Sequence, residues 1–262
     1  MQRFLKRARD RVSTAAAGGL CAVSAALPGV PQVEGFHVAR VLGGPLRGKL
    51  LAMPTLQRPS YALGTFEPHV SEAMRAHVRP GSVAYDIGAN IGYHTLVLAD
   101  LVGEGGTVIA FEPAPQERLA LEHNLRLNDQ PRVQVEASAL AEQPGQMPFA
   151  TFGYSGIGRL ARATEPADAT ILTVPTTTLD AFVYEDGNPP PDFLKIDVEG
   201  AELRVLLGGM RLLAAQRPVI VCEVRAGSTL EQLSTLLAAQ RYAARVLHRS
   251  GGLADVLFTP AR

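Results

Sequence analysis

From Ser82 onward, short apolar runs alternate with amphipathic stretches at helical spacing. "SVAYDIG" reads as a buried strand and "IGYHTLVLADLVG" as a helix closing on Gly103. "GTVIAFEP" is a second strand, followed by "PQERLALEHNLRLND", a helix with Pro115 near its start. The pattern continues through a third strand in "RVQVEASAL", a fourth in "PDFLKIDVEG", one helix over "GAELRVLLGGMRLLAAQ" and a fifth strand in "RPVIVCEV". A helix in "TLEQLSTLLAAQ" and two strands in "YAARVLHR" and "DVLFTPA" complete it. Near-continuous apolar strands must be covered on both faces. A mostly parallel sheet with right-handed crossovers and helices on both sides is therefore expected.

The rhythm breaks twice. Between about 142 and 190, "MPFATFGYSGIGRL" and "TILTVPTTTLDAF" read as strands and turns, a β-rich insertion of the kind that shapes a substrate pocket. Upstream, residues 36–80 are rich in Gly and Pro with short alternations, then carry the helical "PHVSEAMRAHV", which stops at Pro80-Gly81. The expected organisation is a lead-in over 1–35 (helix or disordered), an N-terminal cap over 36–80 and the main domain over 81–262. The basic start and Ala/Gly/Ser stretch of the lead-in superficially resemble a signal peptide, but they are too short and weakly apolar for a membrane span. Acids and bases balance at 25 each, which argues against a polynucleotide partner. Cys21 and Cys222 lie far apart without metal-ligand spacing, so no disulfide framework and a cytoplasmic location are expected.

The glycine turn "DIGANIG" joins the first strand to its helix, with Gly88 and Gly92 bracketing it. Glycines there let a ligand approach the backbone, and the helix amino terminus favours an anion. The dinucleotide fingerprint would need glycines at 88, 90 and 93, whereas the chain has Gly88, Asn90 and Tyr93. No Walker loop follows. Asp86, before the turn, would repel a pyrophosphate but suits an ammonium or sulfonium, so the turn prefers a zwitterion. Glu112, at the end of the second strand, is placed to accept the hydroxyls of a ribose diol. S-adenosylmethionine answers both requirements better than NAD. Asn90 is expected either to donate to the cofactor's carboxylate or to close a local turn hydrogen bond.

"VAYDIGANIGYHTL", "VIAFEPAPQ", "NLRLN", "FLKIDVEGAELRVLLGG" and "PVIVCEV" together resemble the FkbM family of adenosylmethionine-dependent methyltransferases, in order and over roughly 64–225. The upstream "YALGTFEP" is similar to a segment that family carries before its first strand. The resemblance implies a class I methyltransferase fold, a Rossmann-like, seven-stranded, mostly parallel sheet. It also implies methyl transfer to a hydroxyl oxygen of a small molecule, a sugar or glycan, or a polyketide-type product. It directs attention to the turn after the third strand for the adenine pocket. There the family usually has an Asp after "AL", while this chain has Ala141 and Glu142, leaving Ser138 and Glu142 as the adenine-contact candidates.

Methyl transfer from an activated sulfonium asks the protein to position the acceptor and remove its proton. The candidate groups lie in "LKIDVEG", where Lys195 and Asp197 share one side of the strand and Leu194 and Ile196 the other. Asp197 and Glu199 are expected at the acceptor; the alternative is a helix cap for Asp197 and dipole compensation by Glu199 and Glu202. Lys195 would neutralise carboxylates such as Asp86, or else extend its amine to solvent. A divalent metal held by Asp197, Glu199 and Glu223 is a less favoured variant. Ser155 in the insertion is a candidate contact, and His94 reads as packing or surface. "NPPP" at Asn188–Pro191 precedes the fourth strand and lacks an aromatic, so it is a loop and not an amine-gripping motif. Two rival readings are an NAD-dependent oxidoreductase on the same kind of sheet and a non-catalytic binding partner that keeps the fold.

Overall fold

The computed structural model describes residues 29–55, 58–152, 158–162 and 164–261; the lead-in through residue 28 and Ser155 lie outside the described residues. The cap opens with an antiparallel hairpin of β1 (His37–Arg40) and β2 (Leu50–Met53), followed by α1 (Pro59–Leu63) and α2 (Pro68–His77). The alternation then runs β3 (Val83–Ile87), α3 (Tyr93–Val102), β4 (Thr107–Phe111), α4 (Pro115–Leu127) and β5 (Val133–Glu136). The insertion comprises β6 (Ala139–Leu140), β7 (Gly145–Thr151), β8 (Gly158–Leu160), β9 (Thr170–Thr177) and α5 (Leu179–Tyr184). β10 (Phe193–Ile196), α6 (Glu202–Leu207), α7 (Met210–Ala215), β11 (Val219–Arg225), α8 (Ser228–Ala239), β12 (Tyr242–Ser250) and β13 (Leu253–Pro260) complete the chain.

The main sheet has seven strands in the order β12-β13-β11-β10-β3-β4-β5. β13 runs antiparallel to both its neighbours, and the other pairings are parallel. From β3 the chain winds outward to β4 and β5, then returns to wind the other way through β10 and β11. The order therefore reverses between β3 and β10, and a crevice opens at their carboxyl ends. Side chains alternate across the sheet into two cores. Ala84, Val108, Phe193 and Val221 pack under α3, α4 and the cap. Tyr85, Ile109, Leu194 and Ile220 pack under α5 to α8. Among the described residues no helix is long and apolar enough to cross a membrane.

Two sequence expectations need correction. "RVQVEASAL" is not one strand: β5 ends at Glu136, and β6 leaves the main sheet to pair with β9 in a second sheet of order β6-β9-β7-β8. The helix over "GAELRVLLGGMRLLAAQ" is two helices. A Cβ at Gly208 would sit 2.1 Å from the Ala141 carbonyl oxygen, so the chain turns there against the insertion. α7 then restarts with Asp180 as its surrogate cap, whose carboxylate accepts from Arg211 N at 2.9 Å and Leu212 N at 2.8 Å.

The "NLRLN" stretch explains how the cap is seated. Asn124 on α4 and Asn128 at its C-cap, one turn apart, pair with the backbone of β2 as a neighbouring strand would. Asn124 Nδ2 donates to the Ala52 carbonyl at 3.0 Å, and Asn128 Nδ2 to the Leu50 carbonyl at 2.7 Å. Asn124 Nδ2 also donates to the Ile91 carbonyl at 2.7 Å, tying the cap and the glycine turn to one buried amide.

Candidate active site

A cavity of about 380 Å³ occupies the crevice, within the range of small-molecule sites. Its floor is the turn Gly88–Ile91. Its walls are Phe111 and Glu112 from β4, the insertion, the ends of β10 and β11, and the cap residues Arg58, Tyr61, Phe66 and Glu67. Gly88 has φ 82°, and a Cβ there would lie 1.9 Å from the Asp197 carbonyl oxygen, so no other residue lets β3 and β10 converge beneath a ligand. Asn90 is also left-handed, at φ 52°. Its Oδ1 accepts from Ile91 N at 2.7 Å, so the local turn bond is made while Asn90 still lines the cavity. Gly92 stands behind the lining as the N-cap of α3.

Glu112 reaches the cavity as expected from its place at the end of β4. Its Oε2 accepts from Asn90 N at 2.7 Å and its Oε1 from Ala114 N at 2.9 Å. Burial pushes its carboxyl up to about 7, against the pull of those two amides. Asp86 is a correction. It is fully buried, its Oδ2 accepts from Thr95 Oγ1 at 2.7 Å, and it does not line the cavity. Its register opposite Lys195 on β10 puts Oδ1 3.4 Å from Lys195 Nζ. It therefore holds the lysine from below, beneath the cavity lining. Lys195 does not extend to solvent: it is 5% exposed, with Nζ also 3.4 Å from Asp197 Oδ2 and 3.3 Å from the Gly88 carbonyl. Burial opposes its charge, but Asp86 and Asp197 more than offset that and raise its pKa.

Asp197 is not a helix cap, because α6 is capped at Ala201 and begins at Glu202. It lines the cavity with Glu199 and Glu223, and one carboxylate oxygen from each of the three lies within 4.8 Å of the others. Burial and the Asp197 charge raise the Glu199 carboxyl, and burial with Asp197 and Glu67 pushes Glu223 up to about 8. Three carboxylate oxygens gathered in this way make a set able to hold a divalent cation. Ser138 and Glu142, expected near the adenine, stand apart from the cavity lining. Glu142 is turned outward into a bidentate pair with Arg204, Oε2 to Nε 2.5 Å and Oε1 to Nη2 2.9 Å. Ala139 and Leu140 line the cavity instead, together with the apolar Phe149 and Leu160.

The sequence model of the methyltransferase FkbM domain matches residues 86–244, from the acid of the glycine turn into β12. The chain belongs to the FkbM methyltransferase family. Its span includes every FkbM-like stretch read from the sequence except "YALGTFEP" and the first residues of β3. The chain is similar to the hexuronic acid methyltransferase AglP of Haloferax volcanii, 27% identical over 180 residues, or 69% of this chain and 71% of that one. It is also similar to the 31-O-demethyl-FK506 methyltransferase FkbM of Streptomyces tacrolimicus, 31% identical over 163 residues, or 50% of this chain and 60% of the relative. Among solved structures it resembles the FkbM methyltransferase of Methylobacillus flagellatus, with a TM-score of 0.50 and 19% identity over 78% of this chain and 54% of that one. The class I methyltransferase fold is thus the one present.

Several residues of this FkbM site are not legible as site residues in the sequence. Arg58, Tyr61 and Glu67 come from the cap, and His94, which reads as packing or surface, lines the cavity beside them. Tyr61, Phe66 and Tyr93 form one aromatic cluster with ring centroids 4.5–5.5 Å apart, which fixes the cap against α3. For Tyr61, Phe66 and Glu67 the signal is "YALGTFEP", visible only as a similarity to the family.

Proposed function

We propose that the chain transfers a methyl group from S-adenosylmethionine to a hydroxyl oxygen of a small molecule, sugar or glycan. The observation that carries this reading is the layout of one cavity. Glu112 and the amino end of α3 lie toward one side of it, and the cluster of Asp197, Glu199 and Glu223 toward the other. The donor set fits the cofactor part by part. Glu112 accepts a ribose diol, the apolar lining of Ala139, Leu140, Phe149 and Leu160 takes a flat base, and the amides at the start of α3 take a carboxylate. S-adenosylmethionine, when bound, supplies a methyl group on a sulfonium already activated for displacement.

The chain's own residues supply the rest. Asp197, fixed by Lys195, and Glu199 orient the acceptor hydroxyl, and the three-carboxylate cluster receives its proton as the oxygen bonds to carbon. A hydroxyl acceptor accords with the 31-O-demethyl compound for which one relative is named, and a sugar acceptor with the hexuronic acid of the other. The test is mass spectrometry of sugars, uronic acids and polyketide alcohols incubated with the protein and labelled S-adenosylmethionine. One added methyl group on a hydroxyl is expected, and calorimetry showing no binding of adenosylmethionine would overturn the reading. Asp197→Asn should leave donor affinity nearly intact while turnover falls on the order of a hundredfold.

A further inference from the structure

Resting on the adenosylmethionine reading, we propose that Glu67, a residue of the N-terminal cap, is the carboxylate that receives the donor's α-ammonium. A zwitterion whose carboxylate lies against the start of α3 carries its ammonium on the adjacent carbon, so the acceptor for that ammonium must stand beside the first turn of the helix. Asp86, the acid expected there, is sealed under the turn and spent on Thr95 and Lys195. Glu112 has both carboxylate oxygens bonded to backbone amides, and Asp197 is paired with Lys195.

Glu67 lines the cavity and is tied to that first turn, its Oε2 lying 2.8 Å from Nε2 of His94, the second residue of α3. Among the described residues His94 is the hydrogen-bond partner of this carboxylate. A carboxylate can only accept, so Nε2 donates in this hydrogen bond, and Nδ1 is buried without a partner. The imidazole's polar task is thus to aim Glu67. Burial would raise the Glu67 carboxyl, but the His94 hydrogen bond and the nearby charges hold it below its ordinary value, so it is ionised at neutral pH. Its backbone is left-handed, φ 39°, a conformation costly for a non-glycine residue and kept here at the start of α2. The cap is thereby part of the donor site as well as its wall.

Calorimetric titration of the full chain with three ligands tests this. Adenosylmethionine and its decarboxylated form both carry the ammonium, and methylthioadenosine does not. Glu67→Gln should weaken the first two on the order of tenfold to a hundredfold and leave methylthioadenosine within about twofold. Glu67→Asp, which keeps the charge and tolerates the backbone, should give the same ranking with smaller losses. Unchanged affinity for adenosylmethionine in Glu67→Gln, or equal weakening of all three ligands in both variants, overturns the assignment. Binding of none of the three by the unaltered chain removes the donor reading itself, and this assignment with it.

Discussion

Lys195 sits between Asp86, Asp197 and the Gly88 carbonyl, so one buried cation holds together two strand ends and the glycine turn. Removing one partner of a buried ion pair leaves the other charges uncompensated, which costs more than the pair itself contributes. Lys195→Met is therefore expected to destabilise the fold by about 3–5 kcal/mol in urea unfolding. Adding Asp86→Asn should recover part of that loss, and a purely additive double variant would show that the two groups are not coupled. At this scale the sequence is informative about residue type and side. Alternation along β10 puts Lys195 and Asp197 together, away from Leu194 and Ile196, and so they stand. It does not tell depth: Asp86 and Glu112 both end strands beside the turn, yet only Glu112 reaches the cavity.

The elements follow from periodicity where neighbours agree with it. They depart from it where a distant contact intervenes. The break between α6 and α7 is invisible to helical spacing because its cause lies in the insertion: the Ala141 carbonyl against Gly208, and Asp180 reaching back to cap α7. Asp180→Ala should cost about 1–2 kcal/mol of stability in chemical denaturation, the usual range for a lost cap, with adenosylmethionine affinity unchanged. A loss of affinity alongside would mean that α7 helps to position the site. The asparagines of α4 give the opposite lesson. "NLRLN" stands out only by resemblance, and the structure supplies its physical basis, a side-chain ladder that seats β2 and braces the Ile91 carbonyl.

Across the whole molecule, burial of acids in one crevice makes stability depend on pH. Glu112 and Glu223, ordinarily near 4.5, are held at about 7 and about 8 in the folded chain. Between those values the folded state keeps protons that the unfolded chain has released. Unfolding then releases protons, so these groups make stability fall as pH rises from about 4.5 to about 8. Melting curves across that range should show Glu223→Gln losing less stability than the unaltered chain, by about 2–4 °C after allowing for the partial exposure of Glu223. Identical slopes would remove Glu223 from the set of proton-holding groups. By itself the sequence determined the alternation of strands and helices, the glycine turn and the acids at the strand ends, because each is set by spacing within a few residues. Only the tertiary structure decided which acids meet. Glu67, Asp197 and Glu223 lie far apart along the chain, and what brings them to one cavity is the reversal of strand order at β3 and β10 and the cap seated on α4.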